Sequence, residues 1–173
     1  MRIKVTKIIL MLLPIIIISL IVNFFINTPD TSKQETTQNI IKLKELMNAN
    51  EVQVKFSEKP TVLLFFTSWC PYCNEDAPKI VSLNKKYNNQ INIYGINLLY
   101  RDEVSEVQNY VKKHKIDYPI LIDETGATYK NYGGLGFPAL YFLNSRGDVI
   151  DQIIGSTDID IIESSFKNLI YNY

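Results

Sequence analysis

The chain of 173 residues contains two cysteines, Cys70 and Cys73, separated only by Pro71 and Tyr72. A structural disulfide stabilises mainly by closing a long loop, and this one would close almost nothing. Two cysteines so close together are therefore suited to chemistry. A zinc half-site with this spacing needs further Cys or His ligands, and the chain has a single histidine, His114. Zinc shared between two chains is the minor alternative, and the spacing favours thiol–disulfide exchange, in which one thiolate attacks a disulfide and the other resolves the mixed disulfide. No cofactor is called for, because the redox group is the Cys70–Cys73 pair itself.

Such a pair needs a scaffold that favours thiolate and exposes it. Thr61 to Thr67 (TVLLFFT) is a continuous run of β-formers, as in a strand buried on both faces. Helical spacing follows, with Ile80, Val81, Asn84 and Tyr87 on one face. Cys70 then sits at or just before a helix N-terminus, where the dipole and free N–H groups favour a thiolate. Cys73 lies one turn further on, within reach of Cys70. Pro71 suits a first turn, where its missing N–H costs nothing. Trp69 and Tyr72 are placed to shield the pair and offer an apolar contact surface. Pro78, inside the helix, predicts a kink.

The remaining elements follow from periodicity. Ile40–Met47 reads as an amphipathic helix, Val52–Phe56 as a surface strand, and Ile91–Asn97 as a second buried strand. Glu103–His114 is an amphipathic helix, Tyr118–Ile122 a short strand and Glu124–Asn131 a short helix or turn. Ala139–Asn144 and Val149–Ile154 are strands joined by Ser145-Arg146-Gly147-Asp148, with the Gly and Asp of a tight hairpin. Asp158–Tyr171 closes the chain as a helix with Ile162, Phe166, Leu169 and Ile170 inward. This order predicts an α/β domain, residues 39–173, with one mixed sheet and helices on both faces. Gly133-Gly134-Leu135-Gly136 lacks the strand–loop–helix setting of a nucleotide loop and reads as a turn leading to Pro138. His114 ends a surface helix, where a cation suits the free carbonyls, and is expected to have no catalytic role.

Residues Ile8 to Ile26 form 19 residues without a charge, preceded by Arg2, Lys4 and Lys7. At ~1.5 Å per residue the run spans nearly the ~30 Å hydrocarbon core. The basic end is expected in the cytoplasm and the rest of the chain outside. A cleaved signal peptide would have a shorter apolar run and small residues after it, whereas Asn27-Thr28-Pro29-Asp30 follow here. The expectation is an uncleaved anchor over 1–28, then a polar flexible tether over 29–38. Lys and Arg number 18, as do Asp and Glu. No basic stripe marks a nucleic-acid partner.

Thr67-Ser68-Trp69-Cys70-Pro71-Tyr72-Cys73, followed by Pro78, resembles the thioredoxin superfamily, and more narrowly its extracytoplasmic TlpA/ResA-like branch. The resemblance covers about residues 40–171. Glu103–Ile122 is similar to that branch's inserted helix and strand. Phe137-Pro138 stands before a strand where the superfamily has its cis-proline. Asp76 matches a position where the branch often carries Glu. Two departures are plain: Cys-Pro-Tyr-Cys is more typical of glutaredoxins, and Leu64 stands where thioredoxins bury an acid.

The resemblance implies a thioredoxin-like fold with the cis-proline packed beside the cysteines and the Phe137 backbone pairing with the substrate chain. From the sequence alone Pro138 reads as an ordinary trans proline at a strand start. Asp76 either accepts the Cys73 proton during resolution or, like Glu75, complements the helix dipole. Members of the branch usually reduce disulfides in secreted or membrane proteins, such as apocytochrome c or a surface methionine sulfoxide reductase. They draw electrons from a membrane thiol carrier. Two other functions fit the same residues: an oxidant that introduces disulfides, and a non-catalytic binding module that would survive loss of both cysteines. A peroxidase would need a second, Thr/Arg-supported cysteine.

Overall fold

A computed structural model describes residues 40–172. The expected anchor, the tether and the first and last residues of the expected domain lie outside the described residues. Seven strands, β1 (Lys42–Glu45), β2 (Glu51–Gln53), β3 (Thr61–Phe66), β4 (Asn92–Asn97), β5 (Ile120–Ile122), β6 (Ala139–Leu143) and β7 (Val149–Ile154), form one mixed sheet. Their spatial order is β2-β1-β5-β4-β3-β6-β7. The helices are α1 (Pro71–Tyr87), α2 (Val104–His114), α3 (Ala127–Asn131) and α4 (Ile159–Asn172). A 3-10 turn, Leu99–Arg101, links β4 to α2. The fold is thioredoxin-like, with α2 and β5 inserted between the central strands.

The middle of the sheet is apolar on both faces. β3 runs parallel to β4 and antiparallel to β6, and all six of its residues are buried. Successive side chains point to opposite faces. Val62, Leu64 and Phe66 join the core under α1, α2 and α4. Leu63 and Phe65 join the opposite core with Tyr129 of α3, Ile41 and Phe56. Gly95 of β4 lets β5 approach, since a Cβ there would meet the Ile120 side chain at 2.5 Å.

Two elements differ from their sequence reading: the strand read over Val52–Phe56 is Glu51–Gln53, with Val54 and Phe56 buried beyond its end, and residues 40–47 are not a helix. Residues 40–47 contain strand β1 and a turn, with Ile40 and Met47 exposed. Burial alternates from Ile41 to Glu45, following a period of two. Backbone pairing decides the outcome: β1 hydrogen-bonds antiparallel to both β2 and β5, closing an edge that a helix would leave open. Eight residues are too few for a helix to form without tertiary support.

The C-terminal helix follows its sequence pattern. Ile162, Phe166 and Leu169 are buried against the sheet, and Ile170 is half-buried. Phe166 sits edge-on to Phe142 at 5.8 Å and tilted against Tyr87 of α1 at 5.8 Å. Phe166→Ala should therefore lower stability by ~3–5 kcal/mol. Urea unfolding would show this as a lower midpoint at unchanged slope; a midpoint within error of the parent's would contradict this packing.

Candidate active site

The site lies where β3 turns into α1. Cys70 is the N-cap of α1, with extended backbone (φ −69°, ψ 120°), and Pro71 is the first helical residue. The Cys70 Sγ accepts a hydrogen bond from the Cys73 backbone N–H at 3.3 Å. Sulfur thus occupies the position where an N-cap oxygen would satisfy a free helix donor. The Cys70 thiol lies 3.9 Å from the Phe137 carbonyl oxygen, its acceptor. The Phe137–Pro138 peptide is cis. Cys70 is 4% exposed, whereas Trp69 and Tyr72 on either side are 54% and 60% exposed. The two rings give the pair an apolar surround open to solvent.

Cys73 lies deeper. Burial pushes its thiol well above the ordinary range. Its contact with Cys70 and the charge of Asp76 push the same way, while a backbone hydrogen bond from Thr67 pulls back. Both thiols are buried, and Cys73 resists ionisation.

Asp76 is 1% exposed. Its Oδ1 accepts from Lys79 Nζ at 2.7 Å and Ser156 Oγ at 2.6 Å. Its Oδ2 is buried without a hydrogen-bond partner. Lys79 also donates to the Thr157 carbonyl at 2.7 Å. Asp76 lies in the second turn of α1, and its carboxylate points into the protein with one oxygen lacking a hydrogen-bond partner.

Three further groups hold the loop that carries Cys70. The Asn74 amide donates to the Ser68 carbonyl at 2.8 Å and the Cys70 carbonyl at 3.0 Å. Asn74 Oδ1 in turn accepts from Lys113 at 2.8 Å and lies 2.9 Å from His114 Nε2. Asp102 accepts from the Ser68 N–H at 2.5 Å, the Ser68 hydroxyl at 2.6 Å and the Asn97 amide at 2.9 Å. Tyr110 donates to the Cys73 carbonyl at 2.8 Å, and its ring stacks on Phe66. His114 is accordingly not the helix-end cation expected: burial first, and the charge of Lys113 second, lower its pKa and favour the neutral ring.

Tyr129 organises the opposite wall. Its hydroxyl donates to the Gly136 carbonyl at 3.1 Å and accepts from the Gly136 N–H at 2.7 Å. Its ring stacks on Phe137 at 5.0 Å. Gly136 has φ 149°, a backbone that glycine adopts readily. Asn74, Asp102, Tyr110 and Tyr129 escape sequence reading because their partners are brought together only by the fold. Asn74, directly after Cys73, carries the one local signal, a polar side chain in the first helical turn. Among the described residues, no group of three or more His, Cys, Asp or Glu is arranged to hold a metal ion.

The chain is similar to known proteins. The model of the AhpC/TSA family matches residues 27–152. The chain is 23% identical over 137 residues to sporulation thiol-disulfide oxidoreductase A of Bacillus subtilis, covering 78% of this chain and 83% of that protein. It is 26% identical over 127 residues to thiol-disulfide oxidoreductase ResA of Bacillus thuringiensis subsp. konkukian, covering 71% of each. Its fold superposes on a secreted disulfide oxidoreductase of Mycobacterium tuberculosis with a TM-score of 0.68 at 24% identity, covering 79% of this chain and 99% of that one.

Tyr129→Phe keeps the ring and removes both bonds to Gly136. The expected cost is ~1 kcal/mol, or about fivefold faster hydrogen exchange at the Gly136 amide. Unaltered exchange there would show that the hydroxyl does not hold this loop.

Proposed function

The chain belongs to the AhpC/TSA family, and from that premise we propose that it is a membrane-anchored, extracytoplasmic thiol–disulfide oxidoreductase that reduces disulfides in secreted or membrane proteins. A fold hosts many reactions, so the reaction is argued from the site. The observation that carries it is the thiol pair at the start of α1: Cys70 caps the helix beside two exposed rings, its sulfur faces the Phe137 carbonyl, and Cys73 lies one turn on with its backbone N–H bonded to that sulfur. The apolar run 8–26 with its basic flank supports the anchor and the outward orientation.

The chemistry follows from the pair. Cys70 thiolate attacks one sulfur of the substrate disulfide. That bond breaks, and the departing substrate sulfur takes up a proton. Cys73 then gives its proton to a base and attacks Cys70. The mixed disulfide breaks and the second substrate sulfur leaves as a thiolate, to be protonated in turn. The substrate gains two electrons and two protons, and Cys70 and Cys73 become a disulfide. A membrane thiol carrier resets the pair. Oxidised apocytochrome c is a fitting substrate, by resemblance to the TlpA/ResA-like branch.

Asp76 is the base in this scheme. Burial holds Cys73 protonated, so resolution needs an acceptor, and Asp76 offers a free buried oxygen. Trp69, Pro71 and Tyr72 shape the attacking end, and Phe137 and Pro138 present the backbone to the substrate.

Two measurements test the reading. Equilibration of the full chain, in detergent, with glutathione or dithiothreitol gives the potential of the pair. A value well below ~−200 to −230 mV, the glutaredoxin range, supports a reductant fed from the membrane. A value well above it reverses the direction and makes the protein an oxidant of secreted proteins. Separately, Asp76→Asn should flatten the pH dependence of substrate reduction. A profile identical to the parent's would remove Asp76 from the proton path.

A further inference from the structure

Arg101 ends the 3-10 turn beside the site. Its guanidinium carbon lies 5.8 Å from the centre of the Trp69 ring and 5.5 Å from that of Phe137. These two residues flank Cys70: Trp69 precedes it in the chain, and the Phe137 carbonyl faces its sulfur. Trp69 Nε1 donates to the Arg101 carbonyl at 2.8 Å, so ring and turn are tied through the backbone. Arg101 is exposed, and it lines an open cavity of about 570 Å³ together with Ser68, Trp69 and Tyr100.

The charge of Arg101 is unmatched. Among the described residues it takes part in no ion pair. Its neighbour Asp102 is already engaged by Ser68, Asn97 and the Glu103 N–H. Glu103, Glu106 and Lys113 also line the cavity, and neither glutamate pairs with Arg101. Contact with aromatic faces leaves the guanidinium's N–H edges free, and those edges match a carboxylate in two-pronged fashion.

We propose that Arg101 is a specificity-determining residue that selects disulfide substrates carrying a carboxylate within two or three residues of the attacked cysteine. Two residues of extended chain reach about 7 Å, the scale that separates the guanidinium from the rings around Cys70. The inference rests on the oxidoreductase reading. It does not depend on the direction of net electron flow, because reduction and oxidation pass through the same mixed disulfide.

The test uses two blocked peptide disulfides that differ only in an aspartate or a lysine two residues before the cysteine. Each is mixed with the reduced full chain in detergent. Each rate is divided by that of dithiothreitol with the same peptide, which removes the peptide's own reactivity. The parent protein should favour the acidic peptide about two- to fivefold at low salt. Arg101→Glu should invert the preference, and Arg101→Lys should retain part of it. The preference should vanish near 1 M salt, where screening acts over about 3 Å. Equal rates for both peptides in the parent, or a ratio unchanged in Arg101→Glu, would overturn the inference and leave the oxidoreductase reading standing. Failure of the reduced chain to reduce either peptide disulfide, together with failure of the oxidised chain to oxidise either peptide thiol, would overturn both.

Discussion

A sulfur atom caps α1, and the site is organised around that cap. Serine or aspartate at this position satisfies a helix N–H with an oxygen, worth ~1 kcal/mol. Sulfur is a weaker acceptor, so the cap by itself holds the Cys70 loop less firmly. The compensation comes from elsewhere in the fold. Asn74 holds the Ser68 and Cys70 carbonyls, Asp102 holds Ser68, and Tyr110 holds the Cys73 carbonyl. Three of the groups that tighten this loop, Tyr110, Lys113 and His114, belong to the inserted helix α2. The insertion is thus part of the active-site support.

Burial sets up the second half of the chemistry. Cys73 and Asp76 are both nearly inaccessible. Moving a carboxylate out of water is costly unless it is paired and hydrogen-bonded. Lys79 and Ser156 satisfy one oxygen of Asp76 and leave the other bare. A partly satisfied buried acid is poor engineering for stability. It becomes intelligible beside a buried thiol that must lose a proton. Lys79 bridges Asp76 and the Thr157 carbonyl, so the segment after β7 is tied to α1.

The fold and the site were legible to different degrees. The buried strand Thr61–Phe66, the helix after Cys70 and the C-terminal helix could be read because each carries a long, consistent period. Residues 40–47 could not: eight residues of mixed polarity satisfy a helical and a strand template alike. The choice was made by β2 and β5, which supply backbone partners from the next ten residues and from far along the chain. His114 misled for a related reason. Its place at a helix end suggested a solvated cation, yet its ring packs on Tyr110 one turn earlier and lies against Asn74 of α1, and desolvation favours the neutral ring.

Sequence alone determined what is covalent or periodic: two cysteines one helical turn apart, a proline to start the helix, a buried strand before it, and a proline at the head of β6. Local spacing is enough for these, because neighbouring residues share one backbone. Tertiary structure alone decided which of the surrounding polar residues matter. Ser68 and Asp102 are 34 residues apart, and Tyr110 and Cys73 are 37 apart. Asp76 and Ser156 are 80 apart. No periodicity links such pairs, since contact between them arises only when the sheet assembles and excludes water. The same holds for Arg101, whose place above Trp69 and Phe137 depends on how the β4–α2 turn packs against the cis-proline loop.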